Sequence, residues 1–415
     1  MTRSLADWLS HIERQHPQPI ALGLDRVLEV HSELKADIAC PIFTVGGTNG
    51  KGSTCAMLEA ILQAGGYRTG LYTSPHLRRY NERVRIGGRE ADDDALCEAF
   101  AAVENARGDV PLTYFEFGTL AALVLFSRAN IEAAILEVGL GGRLDAVNVI
   151  DADCAVLTSV GIDHVEYLGN DRESIGREKA GIFRAGKPAV VADPQVPESV
   201  KEEIQERKAK PILFGRDFGY ANQGTQWAYW GPGGKRSGIA HPALRGAIQL
   251  RNASAAMAAL DSLRERLPVA MQDVRRGLAE ASLPGRFQVL PGRPQVILDV
   301  AHNPQAAAVL AANLGDSGFA PETIAVVGML KDKDIAGVLR AVAPRITRWH
   351  LATLPGPRGA LAADLNHVLK KEKIAMEATE HPTVALALAA AKRQAAENDK
   401  IVVFGSFLTV ADAYG

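Results

Sequence analysis

Residues 42–53, IFTVGGTNGKGS, set a short apolar strand directly ahead of a glycine-rich turn that ends in Lys51, Gly52 and Ser53. Those residue types suit a phosphate cradle. Glycines let backbone N–H groups turn toward phosphate oxygens, a lysine supplies a mobile positive charge, and a hydroxyl can reach a divalent cation. The CAMLEAILQAGG stretch that follows reads as a helix whose N-terminal dipole faces the anion. Thr48, Asn49, Gly50, Lys51, Gly52 and Ser53 are thus candidate nucleotide contacts. The spacing is unusual. A standard loop has four residues between its first Gly and the Gly-Lys pair, with Ser or Thr straight after Lys. Here Gly46 leaves only three and Gly52 intervenes before Ser53. A glycine-rich turn without nucleotide is the alternative.

Five more segments carry reactive side chains. In LYTSPHLRRYNERVRIGG (71–88), Pro75 breaks a strand and leaves Ser74 at its end, where a hydroxyl can contact Mg²⁺ or simply make a turn. His76, Arg78, Arg79 and Arg83 are too cationic for a core strand, so they form a solvated loop or a flap over an anionic substrate. AAILEVGLGGRLDAVN (133–148) puts Glu137 at the end of a buried strand. A carboxylate there is costly unless it is paired, protonated or metal-bound, and an acid on a strand neighbouring a phosphate loop commonly helps hold Mg²⁺. CAVLTSVGIDHVEYLG (154–169) ends in Asp163 and His164. Imidazole is an unusual ligand for Mg²⁺, so His164 reads first as a hydrogen-bonded partner. Lys179, in SIGREKAGIFRAGKP, reads by itself as a solvated helix lysine. Asp299, His302 and Asn303 lie at a strand-to-helix turn in LDVAHNP, where Pro304 begins a helix and Asn303 can cap it.

The elements that must position these groups alternate short apolar runs with helical patterns, which implies a parallel sheet flanked by helices. Strands are expected at 42–46, 69–73, 133–138, 154–159 and 188–192, and helices at 52–65, 91–106, 114–129 and 171–183. Residues 211–240, rich in Gly and aromatics, suggest a small antiparallel excursion, followed by helices near 247–265 and 269–281. SLPGRFQVLPGRP (282–294) has three prolines and two glycines and marks a domain boundary. Beyond it QVILDVAHNP, TIAVVGML, RWHLATL and KIVVFGSF read as strands of a second α/β domain.

A chain of 415 residues exceeds one core and points to two or three domains. Its 47% hydrophobic and 23% charged residues are those of an ordinary globular protein. A net charge of −2 gives no global field for nucleic acid or an anionic membrane. No stretch reaches the roughly 20 apolar residues of a membrane span, and the N-terminus lacks the pattern of a leader. Cysteines 40, 55, 97 and 154 have no zinc or C-x-x-C spacing and read as reduced core thiols of a cytoplasmic protein.

Taken together, GTNGKGS, YTSPH, LEVGLGGRLDA, GIDH, REKAGI, LRNASAA, PGRFQ, DVAHNP and GMLKDKD, in that order, resemble the bifunctional dihydrofolate synthase/folylpolyglutamate synthase family, relatives of the Mur ligases. The resemblance spans about residues 23–407. It implies an α/β fold: a P-loop Mur-ligase-like domain with a mainly parallel sheet (1–287), then a smaller Rossmann-like glutamate-ligase domain (288–415). It implies ATP contacts at Asn252, Arg286 and Asp299 besides the phosphate loop. It implies two Mg²⁺ ions held by Ser74, Glu137, His164 and a carbamylated Lys179. Gly23, Leu24, Asp25 and Arg26, with Thr113, Tyr114, Phe115 and Glu116 and with Leu144, Asp145 and Ala146, match the family's pterin site. Lys51, Lys179 and His302 are the implied catalytic residues, His302 orienting glutamate or phosphate. The implied reaction joins L-glutamate to dihydropteroate, or to the glutamyl tail of reduced folates, through an acyl phosphate, with domain closure assembling the site. A cytoplasmic monomer without nucleic-acid or membrane partners is expected. The rivals are polyglutamylation alone, a Mur-type cell-wall ligase, and a P-loop switch. About 40 residues precede the phosphate-loop strand, too few for the extra domain of a cell-wall ligase, and no guanine-reading N/T-K-x-D segment is present.

Overall fold

The computed structural model describes residues 3–18 and 20–414. The chain divides into two compact units, Met1–Ala243 with Gln249–Ser282, and Leu244–Ile248 with Leu283–Gly415.

The first unit is built on eight strands: β1 (Ile42–Gly46), β2 (Thr69–Tyr72), β3 (Val84–Ile86), β4 (Arg89–Glu90), β5 (Ala133–Glu137), β6 (Cys154–Leu157), β7 (Pro188–Val191) and β8 (Lys210–Leu213). Their order is β4-β3-β2-β5-β1-β6-β7-β8. From β2 to β8 all pairings are parallel, whereas β3 and β4 add antiparallel. β1, β2, β5 and β6 are buried along their whole length, which is why they read as continuous apolar runs rather than alternating ones. Val45 pairs with Glu137 of β5 on one side and with Val156 of β6 on the other. The loops leaving β1, β5 and β6 therefore open side by side, at the strand ends where open α/β sheets bind ligands.

The structure revises several expectations. The cationic stretch after Ser74 is a loop only as far as Arg79, with Arg78 and Arg79 exposed and Arg83 buried. It turns through a short 3₁₀ helix, Tyr80–Arg83, into β3. Arg85 is tolerated in that strand because it pairs with the buried Glu59. Lys210–Leu213 adds parallel to the main sheet instead of joining the excursion, its Pro211 being acceptable on an edge strand. The excursion itself comprises β9 (Gly219–Asn222), β10 (Gln226–Gly231) and β11 (Gly234–Ala240), all antiparallel. Helices Leu5–Ile12, Asp25–Leu34 and Glu198–Glu206 carry stripes of two to four buried residues, too narrow to stand out in the sequence. Cys55 and Cys154 are core thiols, but Cys40 and Cys97 are only half-buried, and all four are free. Among the described residues no helix is long and apolar enough to cross a membrane.

The second unit holds β12 (Gln288–Leu290), β13 (Gln295–Asp299), β14 (Thr323–Val327), β15 (Arg348–Ala352), β16 (Thr379–His381) and β17 (Lys400–Phe404), ordered β12-β13-β17-β14-β15-β16. β12 is antiparallel and the others parallel. The four apolar runs expected there are β13, β14, β15 and β17; the two short edge strands escaped notice. Pro304 and Asn303 start the helix Pro304–Asp316 as anticipated, the Asn303 side chain accepting from the Ala306 N–H at 2.9 Å.

Candidate active site

The phosphate loop is held open by hydrogen bonds from its backbone and its Thr48 hydroxyl to the segment just beyond β6. Thr158 and Ser159, just beyond β6, take the Asn49 carbonyl at 2.8 and 3.0 Å, and the Ser159 hydroxyl accepts the Asn49 N–H at 3.0 Å. Thr48 bonds Gly161 in both directions, at 3.0 and 2.9 Å. These two hydroxyls were missed in the sequence, although a Thr-Ser pair at a strand end beside the loop was the available signal. Gly50 sits at φ +92°, and a Cβ there would stand 2.7 Å from Asn252 Oδ1. Glycine is thus required on both conformational and steric grounds, and Asn252 is brought to the loop as expected. Helix Lys51–Ala64 starts without a side-chain cap, which leaves its first N–H groups for an anion. The Lys51 ammonium folds back onto the Gly47 and Thr48 carbonyls at 3.0 and 3.4 Å, and Gly52 and Ser53 lie buried in the first turn.

Beside the loop, Glu137 ends β5 only 5% exposed and accepts the Ser74 N–H at 3.3 Å. One carboxylate next to one hydroxyl-bearing residue fits a hard divalent cation that completes its shell with substrate oxygens. Among the described residues no three His, Cys, Asp or Glu side chains converge, so any metal here depends on mixed ligands. His164 is half-buried, adopts φ +52° and starts the four-residue helix Val165–Leu168, its N–H donating to Asp163 at 2.9 Å. Lys179 corrects its sequence reading, for it is 5% exposed rather than solvated. Helix Arg172–Ala180 presses it inward, anchored by Arg143 on Glu178 at 2.8 Å. Burial, then the charge of Lys51, pull its amine down to about 7 against the attraction of Asp163 and Asp145. Asp145 is buried as well; desolvation raises it to about 6, although backbone N–H groups of Leu140, Val147 and Gly139 hydrogen-bond its carboxylate.

The three stretches expected to hold the pterin meet in this unit. The Gly23 N–H reaches the Leu144 carbonyl at 3.4 Å. Arg26 donates to Glu116 at 2.7 Å and to the Ala21 carbonyl at 2.9 Å. Leu24 precedes and Asp25 opens helix Asp25–Leu34. Thr113 and Glu116 form a reciprocal capping box at the start of helix Tyr114–Arg128. Phe115 lies against Tyr72, ring centroids 5.9 Å apart, and a Cβ on Gly139 would meet the Phe115 ring at 2.6 Å. Asp145 caps the 3₁₀ turn Ala146–Val149. The result is an aromatic wall beside hydrogen-bonding groups, an arrangement suited to a flat heterocycle.

In the second unit the Asp299 carboxylate accepts the Phe287 and Ala301 N–H groups at 2.9 and 2.8 Å. Burial holds its carboxyl above the usual carboxylate range, opposed by the nearby Arg286 guanidinium. Arg286 stacks over Phe407 at 5.0 Å, and His302 lies 6.3 Å from the same ring with Nδ1 on the Val300 carbonyl at 2.8 Å.

Family models match both regions: the Mur ligase middle domain over residues 45–260 and the Mur ligase glutamate ligase domain over 285–407. The chain is 47% identical to a dihydrofolate synthase/folylpolyglutamate synthase of Escherichia coli, over 98% of this chain and 94% of that one. It is 40% identical to that of Haemophilus influenzae, over 99% and 97%. E. coli FolC in complex with DHPP and ADP superposes with a TM-score of 0.94 at 46% identity, covering 99% and 97% of the two chains. A Yersinia pestis bifunctional folylpolyglutamate synthase/dihydrofolate synthase complexed with AMPPNP and Mn ion gives 0.92 at 47%, with the same coverage. With its phosphate loop, its buried Glu137 and this full-length likeness, the chain belongs to the dihydrofolate synthase/folylpolyglutamate synthase family of Mur ligases.

Proposed function

We propose that this chain is an ATP-dependent ligase that adds L-glutamate to dihydropteroate and to the glutamyl tail of reduced folates. The observation that carries this reading is the phosphate loop after β1 beside the buried Glu137 that ends β5, with the Ser74 N–H on its carboxylate. The acceptor carboxylate attacks the γ-phosphate, ADP leaves, and an acyl phosphate forms. The glutamate amine then attacks the acyl carbon and expels phosphate. Both partners of the first step are anions, so positioning and charge neutralisation dominate.

Thr48, Asn49, Gly50, Lys51, Gly52 and Ser53 cradle the phosphates. Asn252 is assigned to the nucleotide from this unit, and Arg286 and Asp299 from the second. Ser74, Glu137, His164 and a carbamylated Lys179 would hold two Mg²⁺ ions, whose charge would neutralise the phosphates. An amine must be neutral to add CO₂, and a Lys179 value of about 7 leaves much of it so near neutrality. The addition forms an N–C bond and releases one proton, turning the neutral amine into an anion. Gly23–Arg26, Thr113–Glu116 and Leu144–Ala146 hold the pterin, and His302 orients glutamate or phosphate.

The test is to supply ATP, Mg²⁺ and L-glutamate with either dihydropteroate or tetrahydrofolate and to weigh the products. Each acceptor gains the mass of one glutamyl residue. If neither does, the reading is wrong.

A further inference from the structure

Arg83 is a buried cation that the roles above leave unused. It is 9% exposed, and its guanidinium carbon lies 5.3 Å from the Tyr80 ring and 5.4 Å from the Tyr114 ring. Its Nε–H donates to His76 Nδ1 at 2.8 Å. Because arginine stays protonated, that bond fixes Nδ1 as the unprotonated nitrogen of the imidazole. The Tyr72 hydroxyl lies alongside. Among the described residues no carboxylate forms an ion pair with Arg83. Its neighbour Glu82 is committed to the N–H groups of Leu77, Arg78 and Arg79 at 2.6, 2.7 and 2.8 Å. A desolvated guanidinium without a counter-ion is costly, and a planar fork resting against two tyrosines that pack edge to face on each other is built to receive a carboxylate.

Its position says which carboxylate. The Arg83 carbonyl accepts the Thr73 N–H at 2.9 Å, one residue before Ser74, while Tyr114 belongs to the stretch assigned to the pterin. Arg83 thus stands between the pterin wall and the phosphoryl-transfer end. Dihydropteroate has a single carboxylate, which reacts. A folate has two on its terminal glutamyl residue, and only the γ-carboxylate reacts. We propose that Arg83 binds the non-reacting α-carboxylate of the folate's glutamyl tail, with His76 as the positioning residue that orients the guanidinium. This rests on the ligase reading above and adds the element that lets one pterin site handle the longer, doubly charged acceptor.

The test compares tetrahydrofolate with its α-carboxamide analogue as acceptors, following glutamate-dependent ADP release. Wild type should prefer the acid by about tenfold or more in kcat/KM, the usual worth of a charge-assisted hydrogen bond. Arg83→Gln should cut that preference to about twofold or less, and Arg83→Lys should keep part of it. His76→Ala should lower the preference through the KM for the acid rather than kcat. A wild-type enzyme indifferent to the carboxamide overturns the proposal whether or not the variants fold, and so does a preference that survives in Arg83→Gln. Absence of glutamate-dependent ADP release by wild type with dihydropteroate as well would instead bring down the parent reading.

Discussion

At the scale of single residues, the two lysines assigned above to the chemistry differ in their surroundings. Lys51 rests on the loop carbonyls of Gly47 and Thr48, so it is placed to swing onto phosphate oxygens. Lys51→Ala should lower ADP formation by more than about a hundredfold, as loss of a preorganised charge does, while the thermal midpoint stays near that of wild type. Wild-type turnover by that variant removes the loop from the mechanism. Lys179 is packed inside, and its burial was hidden because a lysine on a short polar helix usually faces solvent. Its burial follows from the docking of helix Arg172–Ala180, which packs on helix Glu198–Glu206 and is tied to Arg143 through Glu178. Lys179→Ala should be strongly impaired and partly restored by a short carboxylic acid such as acetate, which replaces the carbamate. An unimpaired variant with no rescue contradicts the carbamate.

At the scale of elements, apolar runs made β1, β5, β6 and their loops legible, since a strand buried on both faces leaves no other pattern. Glu137 was legible for the same reason, as an acid ending such a run. The narrow helices, the edge strands and β3 with its Arg85 were not, because burial there depends on partners far away in the chain, Glu59 being one. A second such partnership lies in the C-terminal sheet. His350 of β15, 1% exposed, meets His381 at 2.9 Å and Gln394 at 3.0 Å. Burial, with the charges of His381 and Arg348, holds His350 below the ordinary imidazole value; burial and Arg393 do the same for His381. The folded state therefore binds fewer protons than the unfolded chain as pH falls below about 6.5, and stability present above that value is lost. Thermal unfolding of the enzyme should show a falling midpoint for this unit from about pH 7 to about pH 5. A His350→Gln variant should show a flatter decline; equal slopes would exclude the histidine pair as the cause.

For the whole molecule, order in the sequence was more informative than any single motif. The loop spacing around Gly46 and Gly52 departs from the usual nucleotide signature, and His164 is a poor Mg²⁺ ligand on general grounds. Nine segments in family order nevertheless pointed to one family, which the full-length likeness to the E. coli and Haemophilus relatives bears out. What no segment carried was the uncompensated charge of Arg83, because the lack of a counter-ion among the described residues can be seen only once every neighbour has a place. The central claim is that this scaffold couples ATP cleavage to amide formation, and the most direct measurement is ADP release with dihydropteroate in the presence and absence of L-glutamate. Sustained release that requires both acceptor and glutamate is the predicted result. Release at the same rate without glutamate, or none with both present, contradicts it.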